Sequence, residues 1–277
     1  NIENLERIIS KNKNNVYGIF IEPISCSTLT ETNKIFLKRA KKLCNKHKIL
    51  MIYDEIYSGF GKCGYDFYFK KYGIVPDIIT LSKSLGGGKS SISAYVTTKK
   101  VFAKSYGSLS GSLLHSTTYN SLAEECATVI ETTNLLNDNK LIKNLSELNV
   151  LIKEKLERLR LKYPDIISEI RGSGCHYGII FKKKFNFLKK ILKLVPIKFI
   201  QDPLFLDKII VTSVMEEYFS KKNVITSFTS NMDVILNISP SINSNKKDVN
   251  KKIEDFEDII KNGLKKLVLK FIKKNLI

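Results

Sequence analysis

A lysine and an acidic pair stand at the ends of two short apolar runs. The run ILMIYDE ends in Asp54 and Glu55, and the run DIITLS is followed at once by Lys83, with glycines at positions 86 to 88. A lysine that is partly desolvated can lose its proton near neutral pH and attack a carbonyl to form a Schiff base. A buried carboxylate can keep a nearby ring nitrogen protonated, which makes the ring an effective electron sink.

These two residues taken alone leave simpler roles open. An aspartate after a strand is often a helix cap, and a lysine is usually a solvated surface residue. In open α/β sheets, however, ligands gather outside the carboxyl ends of the strands. Since Asp54 and Lys83 both follow predicted strands at that end, we expect them to face one cleft.

Strand and helix patterns alternate around this pair. Residues 16–23 and 49–55 predict strands that are buried on both faces, and the periodic segment 31–48 predicts the crossover helix between them. Residues 77–82 and 93–98 predict further strands of the same sheet. This order favours an α/β fold.

The rest of the sequence predicts a smaller α+β unit. Residues 120–162 show a helical pattern of the kind that often joins two domains. Beyond it, short apolar runs predict strands, and longer periodic segments predict helices. The predicted strands are 166–172, 175–181 and 233–240, and the predicted helices are 203–221 and 246–264.

The charge does not by itself identify a partner. The chain has 46 Lys and Arg against 27 Asp and Glu, a net charge of +19. Such a charge could serve nucleic acid or an anionic membrane. The lysines are spread along every segment, however, and no RNP, helix-turn-helix or zinc-finger pattern occurs. We therefore expect no nucleic-acid partner, do not favour a membrane as the partner, and attribute the charge to compositional bias.

Cysteines and apolar runs favour the cytoplasm. No apolar run reaches the roughly 18 residues of a spanning helix, and the first residues lack a secretory signal. The five cysteines lie far apart without a CxxC pair, which favours reduced thiols over disulfides or a zinc site. The three histidines are scattered, so we expect no metal.

Several motifs occur in the order found in one family. The segment DEIYSGFGKCG, followed by PDIITLSKSLGGG, resembles the signature of class III pyridoxal-phosphate aminotransferases. The segments IFIEPI, HSTTYNSLAEECA, RGSGCHYGIIF and NISPSI are similar to further motifs of that family. The likeness runs from about Tyr17 to Leu264. It implies the fold type I of pyridoxal-phosphate enzymes, with part of a large domain on a mostly parallel sheet and a C-terminal α+β small domain.

The resemblance implies a role for particular residues. Lys83 would be the Schiff-base lysine and proton shuttle, and Asp54 the partner of the pyridine nitrogen of pyridoxal 5′-phosphate. Ile56 would pack on one face of the ring, a role compatible with that of a core aliphatic residue. Thr118 matches a threonine that binds the cofactor phosphate of the neighbouring subunit, which implies a homodimer. Glu22 matches a glutamate near the ring, and a capping role for it is also open.

The sequence departs from the family pattern at three places. Tyr57 stands where the family has a glutamine that contacts the cofactor, and a tyrosine hydroxyl can still donate a hydrogen bond there. Ser25 also replaces a glutamine. Asn237 replaces an arginine that grips a substrate carboxylate. Family members also carry an upstream phosphate-binding segment that nothing before Tyr17 supplies, so we interpret the chain as N-terminally incomplete.

The expected function is transfer of an amino group between an amine or amino acid and a keto acid or aldehyde. An aminomutase of the same fold and a catalytically silent fragment or interaction module are the alternatives. We expect residues 1–135 to form the C-terminal half of the cofactor-binding domain, residues 136–265 an interdomain helix and the small domain, and residues 266–277 a basic tail. The basic, apolar segments 182–199 and 264–277 could lie on a membrane or a partner, or cover the core as helices.

Overall fold

The computed structural model describes residues 1–12, 15–182 and 202–275. The chain divides into two compact units. The first comprises residues 1–26 and 30–143, and the second comprises residues 27–29 and 144–277. The identification of these parts as a cofactor-binding domain, a small domain and a tail, with the boundaries given above, stays a prediction.

The first unit is built on a four-stranded sheet with the strand order β1-β2-β3-β4. β1, β2 and β3 are parallel, and β4 runs antiparallel to β3. The mostly parallel sheet expected from the sequence is therefore confirmed. The strands are β1 (Gly18–Ile21), β2 (Leu50–Asp54), β3 (Ile78–Leu81) and β4 (Ala94–Thr97).

The crossover between β1 and β2 is the helix α2 (Lys34–His47), as predicted. Its N-cap is Asn33, whose side chain accepts hydrogen bonds from the backbone nitrogens of Ile35 at 2.8 Å and Phe36 at 3.3 Å. This capping satisfies two of the free amides at the helix start. The apolar face of α2 packs with β2 and with the helix α1 (Ile2–Lys11), which the sequence analysis did not predict, in one buried cluster.

The edge strands are more exposed than the sequence suggested. β2 matches the prediction of burial, since three of its five residues are buried. In β1, Phe20 is 70% exposed, so the prediction that this strand is buried on both faces was wrong. Val96 in β4 is 54% exposed. The reason is topological, because an apolar run does not reveal whether its strand lies at the centre or the edge of the sheet.

Helices complete the first unit and lead into the second. The predicted helical stretch 120–162 forms two helices that are interrupted at Asn137. Two short 3₁₀ helices, Tyr68–Lys71 and Lys83–Gly86, follow β2 and β3 along the chain. The helices after β4 are α3 (Lys99–Tyr106), α4 (Ala123–Leu136) and α5 (Asn139–Lys162).

The second unit contains an antiparallel sheet with the order β5-β6-β8-β7. Three of these strands match the predicted ones, and the short β7 was missed. The strands are β5 (Ile167–Ser173), β6 (His176–Phe181), β7 (Ser227–Ser230) and β8 (Val234–Ile238). The helices are α6 (Phe205–Lys222), α7 (Lys246–Ile260) and α8 (Leu264–Asn275).

The last helix, α8, packs on the second unit. Leu264, Val268 and Ile272 recur on one face and are buried. On the polar side, Lys270 pairs with Glu217 of α6 at 2.7 Å. The segment 264–277 is thus a covering helix as far as Asn275. The other basic segment, 182–199, lies outside the described residues after Lys182.

Candidate active site

Lys83 occupies a strained position just after β3. It is the first residue of its 3₁₀ helix, and its backbone φ is +46°. Non-glycine residues in this left-handed region cost roughly 1 to 3 kcal/mol, and they cluster at functional sites. Gly87 and Gly88 follow with φ values of +61° and +77°, which glycine adopts without this cost. The chain turns sharply here and leaves the Lys83 side chain exposed.

The amine of Lys83 lies beside a thiol and an aromatic ring. Its Nζ is 3.4 Å from Sγ of Cys26 and 5.5 Å from the centroid of the Tyr57 ring. The backbone nitrogen of Cys26 donates to Oε2 of Glu22 at 2.9 Å. The structure thus brings Lys83, Tyr57 and the Glu22 loop together in the first unit. Sequence analysis missed Cys26, because only the fold brings it to Lys83.

Asp54 ends β2 and is half-buried. Its Oδ1 accepts a hydrogen bond from the backbone nitrogen of Ile56 at 3.0 Å, which leaves the other oxygen for a ligand. In the sheet Asp54 stands opposite Thr80. The hydroxyl oxygen of Thr80 is buried and has no hydrogen-bond partner within the described chain. An unsatisfied donor and a partly free carboxylate therefore stand at the carboxyl end of the sheet, the end from which Lys83 emerges.

The neighbouring Glu55 has a different environment, and its role was not predicted. It is 1% exposed. Its Oε2 accepts hydrogen bonds from the Ser58 hydroxyl at 3.2 Å and from the backbone nitrogen of Tyr68 at 2.6 Å. Its Oε1 accepts from the backbone nitrogen of Phe69 at 2.9 Å. Burial raises the pKa of Glu55 above its usual range, although these three donors oppose the change. Glu55 therefore fixes the 3₁₀ helix Tyr68–Lys71 to the end of β2.

Tyr57 and Ile56 follow these acidic residues along the chain, and the Tyr57 ring lies near the Lys83 amine. Tyr57 is 8% exposed, and burial raises the pKa of its phenol far above the ordinary value. The phenol is therefore neutral at physiological pH and keeps a proton to donate. Ile56 is half-buried. Both residues belong to the turn that follows β2, which the Asp54 carboxylate stabilises through its hydrogen bond from the backbone nitrogen of Ile56.

Thr118 makes no described contact with this group. It sits in the loop between α3 and α4, is exposed, and makes no hydrogen bond to another described residue. Large apolar side chains around it are also exposed. They are Leu109 (96%), Leu113 (78%), Leu114 (71%) and Tyr119 (83%).

The second unit holds Asn237, which the sequence analysis singled out, and Arg171 of the RGSGCHYGIIF motif. Arg171 pairs with Glu169 at 2.8 Å and with Asp233 at 3.1 Å, so its role is structural within that sheet. Asn237 is 6% exposed, and its Nδ2 donates to the Ser227 hydroxyl at 3.1 Å. Its Oδ1 has no partner among the described residues. Asn237 carries no charge that could neutralise a carboxylate.

Metal and membrane features are not found in the described part of the chain. It contains no group of three or more His, Cys, Asp and Glu residues placed to hold a metal ion. None of its helices is long and apolar enough to span a membrane. None of the five cysteines, all of which lie in the described residues, forms a disulfide, and Cys44, Cys63 and Cys175 are buried.

Comparison with known families identifies the chain. A family model described as aminotransferase class-III matches residues 1–236. The chain belongs to the class III aminotransferase family. Aminotransferases of this class are pyridoxal-phosphate-dependent enzymes, so the family and the cofactor expected from the motifs around Lys83 are confirmed.

Curated relatives agree with this family over part of their length. The acetylornithine/succinyldiaminopimelate aminotransferase of Buchnera aphidicola is 33% identical over 174 residues, which cover 63% of this chain and 40% of the relative. The putrescine aminotransferase of Pectobacterium atrosepticum is 32% identical over 191 residues, which cover 66% of this chain and 39% of the relative. The chain thus aligns with about two fifths of these class III aminotransferases.

Solved structures confirm the fold. The acetylornithine aminotransferase of Elizabethkingia anophelis superimposes with a TM-score of 0.76 at 22% identity, covering 95% of this chain and 61% of that one. A transaminase from the marine bacterium Virgibacillus gives a TM-score of 0.79 at 18% identity, covering 96% and 57%. The predicted class, an α/β fold type I pyridoxal-phosphate transferase with a mostly parallel sheet, is therefore confirmed for this class III aminotransferase.

The residues at the carboxyl end of the sheet fit the cofactor. Pyridoxal phosphate needs an accessible amine for its aldehyde and an acid for its ring nitrogen. Lys83 offers an exposed amine, and Asp54 offers a carboxylate oxygen that its own backbone bond does not use. The unpartnered Thr80 hydroxyl is a further polar group at this end of the sheet.

Proposed function

We propose that the protein transfers an amino group between an amine or amino acid and a keto acid or aldehyde, with Lys83 attached to pyridoxal phosphate as a Schiff base. The observation that carries this proposal is the position of Lys83, an exposed amine on a strained backbone at the end of the sheet where Asp54 ends β2. The bound cofactor would supply the electron sink. Lys83 would then carry the proton to and from the reacting carbon as a general base and acid.

The neighbouring residues would hold the ring. Asp54 would keep the ring nitrogen protonated through the oxygen that Ile56 does not engage. The half-buried Ile56 would pack on one face of the ring. The neutral phenol of Tyr57 would donate a hydrogen bond to the phenolic oxygen of the cofactor, in place of an amide. Glu22 would act near the ring by holding the Cys26 loop, whose backbone it binds.

We further propose a cytoplasmic homodimer. Thr118 stands in an exposed loop among large apolar side chains, and a second copy would cover them. Its hydroxyl would then reach the cofactor phosphate of the neighbouring subunit, as the family resemblance implies. Five cysteines without a disulfide fit a reducing compartment. Some of the lysines form ion pairs with acidic residues of the chain, as Lys41, Lys71 and Lys222 do. This pairing does not favour a nucleic-acid partner.

Substrates without an α-carboxylate fit this chain best. Where the family resemblance places a carboxylate-binding arginine, the chain has the neutral Asn237. An asparagine cannot form the charged bidentate pair that an arginine makes. One of the relatives is a putrescine aminotransferase. We therefore propose amines and aldehydes ahead of amino acids and keto acids.

A half-reaction tests this proposal. The protein, in the longest natural product of its gene that contains residues 1–277, is loaded with pyridoxal phosphate and mixed with a diamine, a monoamine or an α-amino acid. We expect the absorbance of bound pyridoxal phosphate to be replaced by that of pyridoxamine phosphate, fastest with an amine. If the cofactor binds but no donor converts it, the protein is not an aminotransferase.

A further inference from the structure

The thiol of Cys26 and the amine of Lys83 form a close pair at the exposed edge of the first unit. Their Sγ and Nζ atoms are 3.4 Å apart. The pair is held from both sides. The Cys26 backbone is bound by the Glu22 carboxylate, and the Lys83 amine lies over the Tyr57 ring. A cysteine and a lysine far apart in sequence are thus in direct contact.

Among the five cysteines, Cys26 is well placed for oxidation. Cys44, Cys63 and Cys175 are buried, whereas Cys26 and Cys126 are half-buried. Oxidation of thiols requires access to the oxidant. The sulfenic acid that peroxide forms condenses readily with a nearby thiol or nitrogen. Lys83 supplies such a nitrogen on a flexible four-carbon stem, which can close the remaining distance.

We propose that Cys26 and Lys83 form a reversible sulfur–nitrogen cross-link when the cofactor-free protein meets a peroxide. In the first step the thiol sulfur takes one oxygen from hydrogen peroxide, which gives the sulfenic acid and releases water. In the second step the neutral Lys83 amine attacks that sulfur, the S–O bond breaks, and a second water leaves with the amine proton. An added dithiol reverses the reaction, because it reduces the S–N bond and is itself oxidised to a disulfide.

The cross-link would switch off the site. It consumes the one nitrogen that the proposed function needs for attachment of pyridoxal phosphate. Formation of the S–N bond depends only on the two side chains. The loss of cofactor attachment is the one part of the inference that rests on the proposed function. Bound cofactor should in turn protect Lys83 from the reaction.

Mass spectrometry of the cofactor-free chain tests the cross-link. After treatment with hydrogen peroxide, we expect the intact mass to fall by the mass of two hydrogen atoms and a digest to contain the Cys26 and Lys83 peptides joined. Dithiothreitol should restore both peptides. The variants Cys26→Ser and Lys83→Met should lose the joined peptides, whereas Cys126→Ser, which removes the other half-buried thiol, should retain them.

The cross-link has a clear alternative product. In Lys83→Met the Cys26 sulfenic acid should persist and be trapped by dimedone. If dimedone labels Cys26 equally in the wild type and in Lys83→Met, or if Cys26 is found in a disulfide with Cys63, the proposal is wrong.

Protection of Lys83 by pyridoxal phosphate is measured in a separate experiment. A cross-link that forms without cofactor but is not blocked by it would contradict the role of Lys83 in the proposed function, and not the cross-link.

Discussion

The two adjacent carboxylates at the end of β2 lie in opposite environments. Glu55 is buried, and its two oxygens accept three hydrogen bonds from the loop after β2. Asp54 is half-buried, and the hydrogen bond from the backbone nitrogen of Ile56 engages only one of its oxygens. Lys83, at the same end of the neighbouring strand, is exposed on a strained backbone. Satisfied groups therefore build the scaffold, and partly unsatisfied groups are left for chemistry.

The difference between the two carboxylates predicts that Glu55 contributes mainly to stability and Asp54 mainly to function. Removing a fully bonded buried acceptor leaves several donors without partners, which costs stability. Removing a partly free group costs little stability and removes a contact for the ligand. The following predictions use this contrast, from the largest expected effect to the smallest.

Lys83→Met should abolish cofactor attachment and amino transfer. The same variant should change the free energy of unfolding by no more than about 0.5 kcal/mol, because the side chain is exposed and the backbone strain is unchanged. Absorbance of bound pyridoxal phosphate and urea unfolding measure the two effects. A variant that keeps covalent cofactor would show that another amine does the chemistry.

Glu55→Ala should destabilise the first unit by about 3 kcal/mol, because the Ser58 hydroxyl and the amides of Tyr68 and Phe69 lose their acceptor. Asp54→Ala is the matched control. It loses one backbone bond and should cost about 1 kcal/mol, while it strongly weakens amino transfer. Equal losses of stability in the two variants would remove the contrast between the carboxylates.

The pH dependence of stability should come from Glu55. Burial raises its pKa in the folded state, so the folded protein holds this proton more tightly than the unfolded chain does. The contribution of Glu55 is then complete below the ordinary pKa of 4.5 and is lost as pH rises through the folded pKa. Glu55→Gln does not ionise there, so the stability advantage of the wild type over this variant should shrink as pH rises from 4 to 7. An advantage that grows over this interval would show that Glu55 has a lowered pKa.

Lys70→Ala should have the smallest effect. Lys70 pairs with Asp66 in the loop that Glu55 anchors, and the two side chains are 50% and 36% exposed. Exposed pairs of this kind contribute about 0 to 1 kcal/mol. Chemical unfolding should give nearly the wild-type midpoint. A loss as large as that of Glu55→Ala would mean that the surface pair, rather than the buried carboxylate, holds the loop.

The sequence predicted the strands and the acidic and basic residues at their ends, because apolar runs and a lysine before glycines leave local signals. It did not predict that β1 lies at a sheet edge with Phe20 exposed, since strand order is set by the whole fold. It also did not distinguish Glu55 from Asp54, which differ only in the partners that tertiary structure brings. Cys26 was missed for the same reason, because its contact with Lys83 spans 57 positions.

Reduction with borohydride tests the central claim most directly. The protein is mixed with pyridoxal phosphate, reduced, digested and analysed by mass spectrometry. A Schiff base on Lys83 predicts that the reduced cofactor is found on that lysine and is absent from Lys89, which is also exposed. Label spread over many lysines, or no label on Lys83, would contradict the assignment of this end of the sheet as the active site.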